Sequence, residues 1–479
     1  MATQDIRPVI EELKDPLPPE KIFAAIKDLP YSFFLDSALV SEKLGQHSFL
    51  GCDPFLIFKS KGERITLERP GGAKETLTGN PFTVLEGIFD RYRICGPGDI
   101  PFSCGGVGYF AYDMKRFIED LPDISMDDME IPDSIVCFYD AVVIYDNIDR
   151  RAYISSSGLP EEEPAANALR AREQLKALRR KISSAPRRRG ETYFLDDLTL
   201  KSNFSKGSYI KAVLKAKEYI ERGDIYQVNL SQRFEARIDA DPFKLYLHLR
   251  KVNPAPVSAY LNFKDVAILS SSPERFLLKN GCYIETRPIK GTRPRGTDAA
   301  SDAGLAKELL ASPKDRAEHV MIVDLERNDL GRVCEYGSVS APEFVALEKY
   351  ATVFHLVSTV TGKARKGAGP IECLLAAFPG GSITGAPKIR SMEIIEELEP
   401  VKRSVYTGAI GYISFDGKMD TSIAIRTFIL KKEKVYFQVG GGIVADSDPE
   451  LEYEETLHKA KALIEALKTV MEDRELVRT

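Results

Sequence analysis

Between residues 158 and 192 the chain changes character. Glu161-Glu-Glu-Pro leads into an alanine- and arginine-rich helix and then into Ser183-Ser-Ala-Pro-Arg-Arg-Arg-Gly. A stretch so rich in breakers and like charges cannot build a core of its own, so it predicts a linker that divides the chain. Three regions follow: an N-terminal domain over 1–155, a helical and basic linker over 156–195, and a second domain over 196–479. Upstream, short β-branched and aromatic runs such as Pro54-Phe-Leu-Ile-Phe58, Arg64-Ile-Thr-Leu67 and Ile135-Val-Cys-Phe-Tyr139 read as strands of a mixed sheet domain. Downstream, the spacing over 206–222 predicts a helix with Tyr209, Ile210, Val213, Ala216 and Ile220 on one side. Strands and helices then alternate to the end, with no repeat of fixed period.

Several function classes are disfavoured by composition. With 479 residues, 43% of them hydrophobic, the chain can bury a large core. A formal charge of -5 gives no electrostatic case for nucleic acid. No apolar stretch approaches the roughly 20 residues needed to span a bilayer, so no membrane partner is expected. The start continues into an acidic amphipathic stretch rather than an apolar signal core, which predicts a cytoplasmic protein. Seven scattered cysteines without a C-x-x-C pair predict buried free thiols, not disulfides or a zinc knuckle.

Lys290 lies in Arg287-Pro-Ile-Lys-Gly-Thr-Arg293-Pro-Arg295-Gly296, where three guanidiniums crowd one amine. Neighbouring positive charge disfavours the ammonium form, and burial would act in the same direction, so this lysine can serve as a nucleophile near neutral pH. A solvated basic loop that binds an anion is the other reading of the same ten residues.

Two helices carry candidate carboxylates. Ser312-Pro313 is an N-cap followed by proline at the first helical position, predicting a helix to about Gly331. Val320, Met321, Val323 and Leu325 would pack, with Glu318 and His319 in the first turns. A second helix is predicted from Asp448-Pro449 to about Glu472, with Leu457, Ala460, Leu463, Ile464, Leu467 and Val470 as its buried stripe. Its start holds Glu450, Glu452, Glu454 and Glu455. Acidic residues there answer the helix dipole, and they also suit Mg²⁺, which takes one or two carboxylates together with water and substrate oxygens. No histidine pair at helical spacing points to zinc.

Two glycine-rich segments complete the set. Phe378-Pro-Gly-Gly-Ser382-Ile-Thr384-Gly385-Ala-Pro387-Lys388 puts a turn ahead of a helix without the Walker spacing. Its backbone N–H groups and hydroxyls suit either a carboxylate or a simple capped turn. Val439-Gly440-Gly441-Gly442-Ile443 ends a strand with three glycines, which lets a ligand approach the main chain and lacks the dinucleotide fingerprint.

Taken in order, these segments resemble the chorismate-utilising enzymes over about residues 200–465. The resemblance rests on Gly223-Asp-Ile-Tyr-Gln227-Val-Asn-Leu-Ser-Gln232, Ser272-Pro-Glu274-Arg-Phe, the Lys290 run and Ala317-Glu318-His-Val-Met-Ile-Val-Asp-Leu-Glu-Arg-Asn-Asp329. Phe354-His355-Leu-Val-Ser358, residues 378–400, Gly411-Tyr412 through Arg426-Thr, and residues 440–459 continue it. Weaker similarity in Phe34-Leu-Asp-Ser37-Ala and Asp53-Pro-Phe extends to the N-terminal domain of members that aminate chorismate, a domain that members using water usually lack. The family implies an α+β fold, with a large, mainly antiparallel β-sandwich core flanked by helices.

Within that family, members that activate water are similar to one another in carrying a lysine base at the place of Gln227. Members that aminate C2 place alanine where Lys290 stands, and members that aminate C4 carry lysine in Pro-Ile-Lys-Gly-Thr. This chain follows the last pattern. The resemblance therefore implies amination of chorismate at C4 by ammonia, with C2 amination as the alternative. Glu274 would protonate the departing hydroxyl while Lys290 adds at C2 and blocks it. It further implies Mg²⁺ held by Glu318 and Glu455 with Glu452 in the same shell. Substrate carboxylates would be bound by Arg426, Tyr412, Lys459, main-chain groups near Gly441 and the 382–385 loop, including Thr384 and Gly385. His355 would position or polarise the substrate. No cysteine-histidine-glutamate amidotransferase region is recognisable, so a separate glutamine amidotransferase subunit is the implied ammonia source. The Leu35-Asp-Ser37 segment matches where relatives bind tryptophan but departs from their Leu-Leu-Glu-Ser. Retention of Glu274, Lys290, Glu318 and Glu455 together argues against a non-catalytic binding protein.

Overall fold

The computed structural model describes residues 6–41, 43–184, 198–350 and 353–475. Most of the basic end of the predicted linker lies outside the described residues. Two sheets of twelve strands each form the centre of the molecule. The first runs from Val9–Leu13 at one edge to Lys201–Ser202 at the other, through Phe33–Asp36, Val257–Asn262 and Lys434–Ile443. The second runs from Ile289–Pro294 to Lys74–Thr78, through Met419–Ile423, Ala409–Ser414 and Gly105–Phe110. Each sheet thus takes strands from both sides of the 156–195 stretch. Pairing is antiparallel where the sequence suggested a mixed sheet, for example Ala409–Ser414 on Gly105–Phe110 and Gln227–Arg237 on Lys434–Ile443.

Side-chain alternation along the strands explains the layering. Phe33 points between the sheets, where it meets Tyr139 and Phe102, while its neighbour Phe34 points outward onto Phe23 and Tyr246. The inter-sheet core contains Val107, Ile135, Leu261, Ile268 and Ile410 from both sheets. On the outer face of the first sheet Leu269, Phe428 and Phe437 pack against Leu245, Leu249, Leu463 and Leu467 of two helices. Burying each such side chain contributes about 1.5–3 kcal/mol. This is the helix-flanked, antiparallel α+β sandwich that the resemblance implied.

The helices that carry the candidate carboxylates form where the sequence signals lie. One spans Pro313–Gly331, and its N-cap Ser312 accepts a hydrogen bond from the Asp315 N–H. Its buried face differs from the expectation: Ile322, Val323 and Leu330 are buried together with the polar His319, Glu326 and Asp329, while Val320 faces solvent. The helix lies on the strand of Lys290 and on the 381–383 turn, so part of its inward face meets polar groups while Val323 and Leu330 join the apolar core. The other helix spans Pro449–Glu475 and buries Ala460, Leu463, Leu467 and Val470, with Leu457 and Ile464 partly covered. Lys206–Glu221 is helical as predicted, opened by a capping box at Ser205. Among the described residues no helix is long and apolar enough to cross a membrane, and all seven cysteines are free.

Candidate active site

The site begins with strand register. Ile289–Pro294 pairs with Val353–Lys363 so that Lys290 lies opposite Leu356 and Thr292 opposite His355, with a register shift between them. Gly291 occupies the shift at φ +79°, a conformation glycine adopts without strain. Lys290 and His355 are thereby brought to one end of the second sheet.

The guanidiniums around Lys290 in the sequence do not face it. Arg287 donates to Thr359 and pairs with Glu343 and Glu348, Arg293 pairs with Glu308 and Asp315, and Arg295 pairs with Asp302. Each is neutralised by its own carboxylate. Burial is what pushes the Lys290 amine below the ordinary lysine range. Glu318 opposes that push, and Lys459 adds to it. The side chain keeps an opening to solvent, yet the protein around it is dense enough for desolvation to lead.

Opposite Lys290 stands the triple-glycine strand. A Cβ added at Gly442 would fall 2.4 Å from Gln227 Nε2 and 3.3 Å from Lys290 Nζ, so the amide and the amine meet where a side chain is missing. Gln227 is fully buried, and neither amide atom has a hydrogen-bond partner. A Cβ at Gly441 would fall 3.2 Å from Glu455 Oε1 and 3.3 Å from Glu452 Oε2, which puts that residue's backbone against the acidic helix start.

Glu274 is nearly inaccessible, at 5% exposure. Its Oε1 accepts from the Ser382 hydroxyl at 2.6 Å and from the Ile289 N–H at 3.4 Å. Burial pushes its carboxyl up to about 7, against the pull of Ser382, Ile289 and Lys290. A carboxyl in that range can hold a proton at neutral pH and give it up.

Burial also raises Glu318 and Glu452, while the Lys459 ammonium holds Glu455 below the usual carboxylate range. Glu452 accepts from the Ser447 hydroxyl at 2.6 Å, and Lys459 bridges Glu455 at 2.6 Å and the Gly440 carbonyl at 2.8 Å. The Glu455 charge acts on Glu318, Glu452 and Lys290. Among the described residues no three His, Cys, Asp or Glu side chains converge as a metal-holding group. The donor chemistry is nonetheless that of a hard cation, since every candidate ligand is a carboxylate oxygen.

His355 is buried, its Nδ1 2.9 Å from the Thr292 hydroxyl and its ring edge-on to Tyr350. Burial, with the nearby Arg426 charge, depresses it to about 3, so it works as a neutral imidazole. Arg426 takes a backbone φ of +50° and donates to Asn253 Oδ1 at 3.2 Å. No carboxylate compensates it among the described residues, and burial lowers it. Such a guanidinium is available for a ligand carboxylate.

Two expectations change here. Tyr412 points away into the inter-sheet core, where its ring packs on Phe102 and Phe49 at 4.6 and 5.4 Å. Strand alternation decides this, since Gly411 and Ile413 take the other face. Tyr406, six residues earlier, lines a small cavity with Thr427, the residue after Arg426, and with Gln438. In the 381–385 turn, three of the groups expected to be free are already engaged. The Gly381 N–H donates to Glu326, the Ser382 hydroxyl to Glu274 and the Thr384 hydroxyl to the Gly380 carbonyl. Gly385, at φ +147°, lies against the Gln227 carbonyl, where a Cβ would approach to 2.2 Å. Thr384 and Gly385 shape the turn that orients Glu274. At the N-terminal Leu35-Asp-Ser37 segment, the Asp36 carboxylate is held by Tyr246 at 2.8 Å and by Arg250 at 2.6 Å.

Residues 72–465 match the chorismate binding enzyme family. The anthranilate synthase component 1 of Acetivibrio thermocellus is 40% identical over 463 residues, covering 95% of this chain and 94% of that protein. The aminodeoxychorismate synthase component 1 of Escherichia coli K12 is 40% identical over 450 residues, covering 94% and 96%. The crystal structure of anthranilate synthase component I from Streptococcus pneumoniae TIGR4 superposes with a TM-score of 0.76 at 32% identity, covering 88% of this chain and 93% of that one. The chain therefore belongs to the chorismate-binding enzymes.

Proposed function

We propose that this protein is an aminodeoxychorismate synthase component I, which aminates chorismate at C4 to give 4-amino-4-deoxychorismate for 4-aminobenzoate and folate synthesis in the cytoplasm. The observation that carries the reading is the Lys290 amine, desolvated and set against the unpartnered Gln227 amide at Gly442. A lysine at Gln227 would activate water, whereas a neutral amide cannot take a proton from it. Uncharged Lys290 attacks C2, the ring double-bond electrons shift toward C4, and the C4–O bond breaks. Glu274 delivers its proton to the departing hydroxyl, which leaves as water. Ammonia then adds at C4, the double bonds shift back, and the bond to Lys290 breaks.

Arg426 and Lys459 receive the substrate carboxylates, and neutral His355, fixed through Thr292, orients the ring. Mg²⁺ held by Glu318, Glu452 and Glu455 would neutralise the ring carboxylate. Ammonia comes from a separate glutamine amidotransferase subunit, and free ammonium salts substitute for it. Incubation with chorismate, Mg²⁺ and ammonium, followed by product separation, tests the reading: 4-amino-4-deoxychorismate is expected. Predominant anthranilate would favour the second reading, anthranilate synthase component I, which has the similarity to the Acetivibrio protein behind it. Absence of turnover with either ammonia source sinks both.

A further inference from the structure

Glu326 is an acidic side chain that the reaction above does not use, and it is 2% exposed. It stands on the inward face of Pro313–Gly331 and touches two segments of the site at once. Its Oε1 accepts the Gly381 N–H at 2.9 Å, and the Thr286 hydroxyl donates to its Oε2 at 3.5 Å. Gly381 immediately precedes Ser382, whose hydroxyl orients Glu274. Thr286 ends the strand that leads through Arg287 and Pro288 to Lys290. The fit is close: a Cβ on Gly381 would fall 2.6 Å from Leu325 Cδ2 and 3.1 Å from Glu326 Oε1.

The groups facing Glu326 come from every element packed on it. Asp329 lies on its own helix, Lys388 on the helix Lys388–Leu398, Glu274 on the loop before Arg275–Asn280, and the Gly381 amide and Thr286 hydroxyl complete the set. Lys388 bonds directly to Asp329 and to the Ala377 carbonyl, so its charge is already paired. Two buried carboxyls, Glu326 and Glu274, are therefore held by adjacent residues of one turn, with Lys388 and Lys290 acting on them at a distance and no direct ion pair among the described residues.

We propose that Glu326 is a positioning residue for Glu274, holding through the Gly381 N–H the turn whose Ser382 hydroxyl orients that acid. The inference rests on the acid role assigned to Glu274. Two coupled carboxyls release their protons in sequence, because the first negative charge raises the cost of the second. Burial and Asp329 raise Glu326, and the Glu274 charge adds to this.

Glu326→Gln keeps an acceptor for the Gly381 N–H, whereas Glu326→Leu removes it. The kcat/KM of Glu326→Gln for chorismate consumption, which requires no knowledge of the product, is expected to stay within about threefold of the parent value, and that of Glu326→Leu to fall about 10²-fold, the scale at which a small misplacement acts. Separately, infrared titration of Glu274→Gln, a variant that leaves Glu326 in place, should show Glu326 ionising at lower pH than in the parent protein. A Glu326→Leu enzyme as active as the parent, or a Glu326→Gln enzyme as impaired as Glu326→Leu, overturns the proposal. So does an unchanged Glu326 titration in Glu274→Gln. A fully active Glu274→Gln enzyme removes the acid role itself, and with it this inference.

Discussion

At the scale of single residues, the chemistry turns on desolvation more than on neighbouring charge. The three arginines beside Lys290 in sequence are each paired elsewhere, and the amine is depressed by burial. The distinction is testable: Arg295→Gln, which leaves the lysine's surroundings intact, is expected to leave the acid limb of the pH–rate profile unmoved. On that limb the rate falls as pH drops, because Lys290 gains a proton and loses its lone pair. On the alkaline limb the rate falls as pH rises through about 7, where Glu274 loses the proton it donates. A bell-shaped profile of chorismate consumption is expected, and a rate still climbing well above that range would rule out Glu274 as the acid. Replacing Glu274 by Gln should cost about 10²–10⁴-fold in turnover. Lys290→Ala should move product from C4 toward C2 amination, and an unaltered C4 rate in that variant would exclude the covalent route.

At the scale of elements, glycines mark where the site needs room. The strand Lys434–Ile443 closes on Gln227–Arg237 with Gly442 opposite Asn229, and the absent side chain leaves space for the Gln227 amide and Lys290 amine to meet. Gly442→Ala would put a methyl group 2.4 Å from Gln227 Nε2. Chorismate consumption is expected to fall about 10²-fold, the scale at which a small misplacement acts, with the thermal midpoint little changed. Retained activity would show that the amide is free to move aside. The 378–388 segment is the reverse case: it has the composition of a ligand cradle, but Glu326 takes its Gly381 N–H and Glu274 its Ser382 hydroxyl.

At the scale of the whole molecule, both sheets interleave strands from the two ends of the chain, and buried ion pairs stitch the junction. Arg403 binds Glu399 through two nitrogens, donates to the Ile383 and Asn229 carbonyls, and stacks over Tyr112 from the N-terminal stretch. Arg403→Met would leave Glu399 charged and unpaired inside the protein. Urea unfolding should register a loss of about 3–5 kcal/mol, and a change within error would mean that the pair is dispensable. The helices at 206–221, 313–331 and 449–475 were legible in the chain because caps, proline positions and apolar spacing are local signals. Lys290, Glu274, Glu318 and the glycines stand out as candidates in the chain too, because they sit in dense motifs. Local signals could not say which face Tyr412 takes, where three guanidiniums find their carboxylates, or that Glu326 lies behind the acid. Those answers depend on register and on partners tens to hundreds of residues away, such as Glu326 with Gly381, which meet only once the sheets have closed.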